Sequence, residues 1–167
     1  MKLSKSKQKK LKTLHVAVAI LWLICVAIVT ILVYISMHAK TGETLYNYTH
    51  IYHFVDTKIL TPAAVLTLFT GIAYVHFTQW EYTKHKWIIY KLIVALFIII
   101  SGIFYLAPLT DNILAIVESK KILALNDAQY ISNATNLFYM GTVNFFLLLS
   151  ATAAAVLKPW KRHSSIR

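Results

Sequence analysis

The sequence predicts an all-α, polytopic membrane protein: a four-helix, up-down-up-down transmembrane bundle with both termini in the cytoplasm. Three observations predict it. Of the 167 residues 58% are hydrophobic and only 14% are charged, more apolar surface than one soluble domain of that length can hide in a core. Four stretches, 16–37, 59–79, 88–109 and 128–157, are nearly free of charge, and each reaches the roughly 20 residues that span the hydrocarbon. None alternates with a period of two, so a β-barrel is not indicated. The third observation is lopsided charge. Of 17 Lys and Arg, all but Lys40, Lys58, Lys120 and Lys121 fall on the side of the chain ends and the middle loop. By the positive-inside rule that side is cytoplasmic, and the plasma membrane is the expected location.

Each element follows in order. Residues 1–11 form a basic cytoplasmic arm, and the transmembrane domain covers 12–157. Helix one spans about 12–38 and is retained, because its apolar run is too long for a signal peptide and no convincing cleavage site follows. An outer connection at 39–57 is rich in Tyr, Thr and His. Helix two spans about 58–80, with Pro62 in its first turn, where a missing N–H costs nothing. A polar inner loop at 81–86 leads to helix three, about 87–108, closed by Pro108. A second outer connection follows at 109–130, with a helical pattern from Asn112 to Leu125. Helix four spans about 131–157 and stops at Pro159, before a basic tail at 158–167. Small residues on helix two (Ala63, Ala64, Gly71, Ala73) and helix four (Gly141, Ser150, Ala151, Ala153, Ala154, Ala155) predict inward-facing, close helix packing. Trp80, Trp87 and Trp160 suit an aromatic belt at the inner boundary. Trp22 lies about 10 Å deeper than His15 and faces either lipid or a pocket.

The net charge of +11 needs no nucleic acid. A basic arm beside a bilayer is drawn to anionic lipid by about 1 kcal/mol per residue near the surface. One cysteine, Cys25, excludes a dithiol redox enzyme. No nucleophile elbow, phosphate loop, zinc-protease motif or carboxylate pair occurs. The six acidic residues sit at predicted loops and helix ends, so intramembrane carboxylate chemistry is not expected.

Ionisable groups in hydrocarbon cost roughly 2.5 to 3.5 kcal/mol, so they call for a reason. His15, His76 and Lys91 each lie about one turn from the inner end of a different helix. Two neutral imidazoles at one level can clamp haem iron, and an ammonium beside them can pair with a porphyrin propionate. The plainer alternative is that Lys91 snorkels to the headgroups while each histidine bonds a carbonyl. A second cluster, His38, His50, His53 and Asp56, lies on the outer side. His50, His53 and Asp56 are spaced three apart and share a face if helix two begins early, a donor set that suits copper or zinc. Histidines in an exposed loop with tyrosines nearby are more often just polar residues. Asn144 is either interhelical glue or part of a pocket.

Three segments carry a family resemblance. Leu11-Lys-Thr-Leu-His15 with Trp22 seven residues on, Ile59-Leu-Thr-Pro-Ala-Ala-Val-Leu-Thr-Leu-Phe-Thr-Gly71, and Trp87-Ile-Ile-Tyr-Lys91 resemble the first three helices of the HemJ-type protoporphyrinogen oxidases. That superfamily includes the membrane domains of CopD-type copper proteins. The resemblance covers roughly residues 11–110. It implies a four-helix bundle that binds haem b, with His15 as ligand and Lys91 as the functionally important lysine; by depth the pocket would lie toward the inner leaflet, with Trp22 as its wall. The activity it implies is oxidation of protoporphyrinogen IX to protoporphyrin IX. The chain departs from those enzymes at Ser101-Gly-Ile-Phe-Tyr-Leu-Ala-Pro108, where they carry a polar, histidine-bearing segment. The expectations are therefore a haem- or porphyrin-binding protein for electron transfer or porphyrin handling, the oxidase itself, a copper-handling protein, or an accessory membrane protein without cofactor. Homo-oligomerisation and a redox partner stay open.

Overall fold

The computed structural model describes residues 3–78 and 86–157, and all the regular structure among them is helical. Most of the expected inner loop, the tail from Lys158, and Trp80 and Trp160 lie outside the described residues. Helix α1 spans Lys5–Ser36. Helix α2, Gly42–Val55, runs through a wide π-helical turn, Asp56–Leu60, into α3, Thr61–Phe77. Helix α4, Lys86–Ser101, likewise runs through a π turn, Gly102–Leu106, into α5, Ala107–Lys120. A 3-10 segment, Lys121–Asn126, leads to α6, Ala128–Leu157. The described residues thus form four rods, Lys5–Ser36, Gly42–Phe77, Lys86–Asn126 and Ala128–Leu157, each long and apolar enough to cross a membrane.

The rods alternate in direction. The Leu3 amide donates to the Phe77 carbonyl at 3.2 Å, so α1 begins where α3 ends. Tyr90 near the start of α4 meets Ser150 near the end of α6, with 2.6 Å between the hydroxyls. One end of the bundle, here the termini end, therefore holds the beginning of α1 and the finish of α6. The opposite end is the far end.

Two rods are longer than the apolar pattern predicts. The segment 39–57, expected as a connection, is mostly helix α2. Thr41 starts it by accepting the Thr44 amide at 3.1 Å, a side-chain cap. Pro108, expected to close a helix, instead lies inside one. A proline ring clashes with the carbonyl four residues back, which belongs to Lys58 for Pro62 and to Phe104 for Pro108. Each of those residues is the middle one of a five-residue π turn. Widening the turn relieves the clash, so the chain continues as helix past both prolines.

Helix α5 ends at Lys121, whose φ of 50° breaks the helical run. Asp127 then starts α6: its Oδ1 accepts the Gln129 and Tyr130 amides at 2.9 and 3.0 Å. The Lys120 ammonium bonds the other carboxylate oxygen, and together these bonds hold the Asp127 carboxyl below the usual carboxylate range.

Packing separates into two cores. At the far end Val33, Leu45, Tyr52, Ile113, Val117 and Tyr130 close together from α1, α2, α5 and α6. Toward the termini end Trp22, Ala63, Ala64, Val94, Leu148 and Ala151 do so from α1, α3, α4 and α6. Of the small residues expected on inward faces, Ala63, Ala64, Ala151 and Ala154 are buried, whereas Ser150 and Ala153 are exposed because they lie on the other side of α6. Large apolar side chains cover the outside instead: Phe69, Phe104 and Phe146 are 64%, 76% and 61% exposed. Such a surface belongs in lipid.

Candidate functional site

Near the termini end, α1, α3, α4 and α6 enclose a cavity of about 450 Å³. From α1 it takes Lys12, His15, Ala19 and Trp22, whose spacing of three, four and three keeps them on one helical face. Thr67 and Gly71 come from α3, Trp87 and Lys91 from α4, and Ala151 and Ala155 from α6; the repeats of four have the same cause. The wall is mainly apolar, and its charged members are two lysines with no carboxylate among the lining residues.

His15 is the most defined group in the cavity. Its Nδ1 lies 3.0 Å from Thr70 Oγ1. The Thr70 hydroxyl already donates to the Leu66 carbonyl at 2.6 Å, so it accepts from His15, and Nδ1 carries the proton. A neutral imidazole in that tautomer keeps its lone pair on Nε2. The ring lies flat enough on α3 that a Cβ at Gly71 would come within 3.0 Å of Cε1. Glycine there gives the imidazole its seat. Trp22 is 2% exposed, which resolves the alternatives for it in favour of the interior, and its Nε1 is buried without a hydrogen-bond partner.

His76 does not join this group. It is exposed, its ring stands edge-on to Phe77 at 4.9 Å, and it is not among the lining residues. Five residues beyond Gly71, it is turned about 140° around α3. Depth alone predicted proximity, and azimuth undid it. His15 is thus the only one of the two histidines on the cavity wall.

The outer cluster is also divided. His53 Nε2 donates to Asp111 Oδ1 at 2.8 Å, His38 bonds the Tyr34 carbonyl at 2.8 Å, and His50 is exposed beside the Tyr46 ring. Among the described residues no three His, Cys, Asp or Glu side chains converge in a way that could hold a metal ion. Asp56 turns instead to a second cavity, of about 300 Å³, lined also by Trp22, Thr30, Thr57 and Asn144. A carboxylate therefore does face the interior, contrary to the expectation from loop positions, because the helix that carries it is continuous. Asn144 is 3% exposed, with Oδ1 unpartnered.

Sequence reading singled out His15, Trp22 and Lys91 but did not connect Lys12, Thr70 or Trp87 with the cavity. Lys12 and Trp87 carried a signal, since each is one turn from a chosen residue on the same rod. Thr70 carried none, because its role depends on how α1 and α3 meet.

A family model described as "Predicted integral membrane protein (DUF2269)" matches residues 9–159. No curated protein and no solved structure matches the chain. The chain belongs to the DUF2269 family of integral membrane proteins.

Proposed function

We propose that this DUF2269 member binds haem b or a related porphyrin in the larger cavity, as a HemJ-like protein of electron transfer or porphyrin handling. The observation that carries this reading is His15: its Nδ1–H is committed to Thr70, so the Nε2 lone pair is available to iron in a cavity it lines. Fixing a ligand histidine through its other nitrogen is how metal-binding imidazoles are oriented. The volume of about 450 Å³ falls within the range of cofactor pockets. Bound there, the macrocycle supplies the redox chemistry. Lys12 and Lys91 would neutralise its propionates, and Trp22 would close the pocket at its deep end. One histidine, His15, would hold the iron in this scheme, with His76 outside it.

Lys91 beside His15 also favours a sharper reading, protoporphyrinogen IX oxidase, with Lys91 as the catalytic residue. A strain lacking that step would then be rescued by the wild-type gene and not by Lys91→Ala. Failure of the wild-type gene would remove the oxidase reading and leave haem binding open. Purified protein from haem-supplemented cells should show a Soret band that His15→Ala weakens severalfold. A colourless wild-type protein would overturn the proposal. On the positive-inside rule the termini end faces the cytoplasm of a plasma membrane, with the lysine arm on anionic lipid. A periplasm-dependent reporter fused to the C-terminus should be inactive.

A further inference from the structure

The second cavity is a different chemical environment from the first. Its charged lining residue is a carboxylate, Asp56, where the first has only lysines. Two facing rods bring their π-helical turns to it: Asp56, Thr57 and Leu60 from one, and Gly102, Ile103 and Leu106 from the other. Wide turns of this kind recur at functional sites because they change where side chains and carbonyls point.

The polar groups there are mostly acceptors. Thr30 Oγ1 donates to the Val26 carbonyl at 2.8 Å, and Thr57 Oγ1 to the His53 carbonyl at 2.8 Å, so each hydroxyl has only lone pairs left to offer. Asn144 Oδ1 is buried and unpartnered. Asp127 has Lys120, and His53 is shared: it bonds Asp111 and also stands near Asp56, which makes no salt bridge of its own among the described residues. The remainder of the wall is mainly hydrocarbon, Val26, Val29, Ile98, Ile99 and Leu137 among others, with Thr61 and Trp22 as its further polar members.

A carboxylate on an apolar cavity inside a membrane protein calls for a compensating cation. A bare alkali ion would occupy little of about 300 Å³, and apolar walls do not hold the water needed to fill the rest. A neutral apolar molecule would fill the space and leave Asp56 with only the histidine it shares with Asp111. We propose that the second cavity is a binding site for a small amphipathic amine, its ammonium on Asp56 and its apolar body between the two π turns.

The test uses the full chain in nanodiscs of phosphatidylcholine and phosphatidylglycerol, free of amine lipid, titrated by calorimetry with phenethylamine. Saturable binding is expected, with sodium and potassium failing to compete at equal concentration. Asp56→Asn should weaken it at least tenfold. Gly102→Leu should weaken it similarly by filling the site, since a Cβ at Gly102 meets nothing within 4 Å and the fold is not strained. Both variants should keep the spectrum of the larger cavity, which separates this proposal from the haem reading. Equal affinity for neutral ethylbenzene, undiminished binding by Asp56→Asn, or no saturable binding to the wild type would each overturn it.

Discussion

The far end and the termini end of this bundle are built from similar residues and packed differently. At the far end Val33, Leu45, Tyr52, Ile113 and Val117 are fully buried, because α2 and α5 add mass to α1 and α6. Toward the termini end α1, α3, α4 and α6 meet at Trp22, Ala63, Ala64 and Ala151 and part around a cavity of about 450 Å³. In lipid no hydrophobic force closes such a gap, since acyl chains are as apolar as leucine, and approach depends on small residues and shape. The far end is packed tight, and the termini end keeps a cavity.

That contrast can be broken by substitution. The largest loss of stability should come from Leu45→Ala, which opens a void where relaxation is least available. About 2–5 kcal/mol is expected, read as a fall in thermal midpoint, while Leu92→Ala on the cavity wall should cost much less. Equal losses would mean that the hollow end is packed after all. Next is Gly141→Ala, whose Cβ would stand 2.5 Å from Thr30 Oγ1 and force α6 away from α1. About 1–3 kcal/mol is expected, and Thr30→Ala in the same chain should restore most of it.

Gly71→Ala should behave in the opposite sense. Its Cβ displaces the His15 ring, so porphyrin binding should fall severalfold with a thermal midpoint nearly unchanged. A large stability loss with binding retained would show that Gly71 serves packing alone. The smallest effect belongs to the exposed cap at Asp127. A carboxyl held below its usual range contributes stability that is present above the unfolded-state value and lost as pH falls through the folded one. Acid below about pH 4 should therefore lower hydrogen-exchange protection, relative to the intrinsic rate at that pH, at Gln129 and Tyr130 and leave that of the far-end core amides unchanged. Asp127→Asn should remove that pH dependence.

Much of the architecture was legible in residue order. Charge-free stretches gave four spans, and the alternation of rods followed from short connections. Helix extent was less legible, because Thr41 capping and π turns at Pro62 and Pro108 carry helix through segments whose composition suggests loop or terminus. Of the site, His15, Trp22 and Lys91 could be chosen by their depth. Their neighbours Thr70 and Gly71 depend on the contact between α1 and α3, which hydropathy does not encode. His76 failed for a related reason: depth along a helix fixes one coordinate, and rotation about its axis fixes the other. Asp56 falls in a stretch whose composition suggests a loop, and that composition hides a carboxylate facing a cavity.

The most direct test asks whether the lone pair on His15 is what holds the cofactor. His15→Gly should abolish most of the Soret band in purified protein, and added imidazole, able to occupy the vacated seat beside Gly71, should bring it back. An unchanged spectrum in His15→Gly, or a lost band that imidazole leaves lost while the protein stays folded, would contradict ligation by this residue.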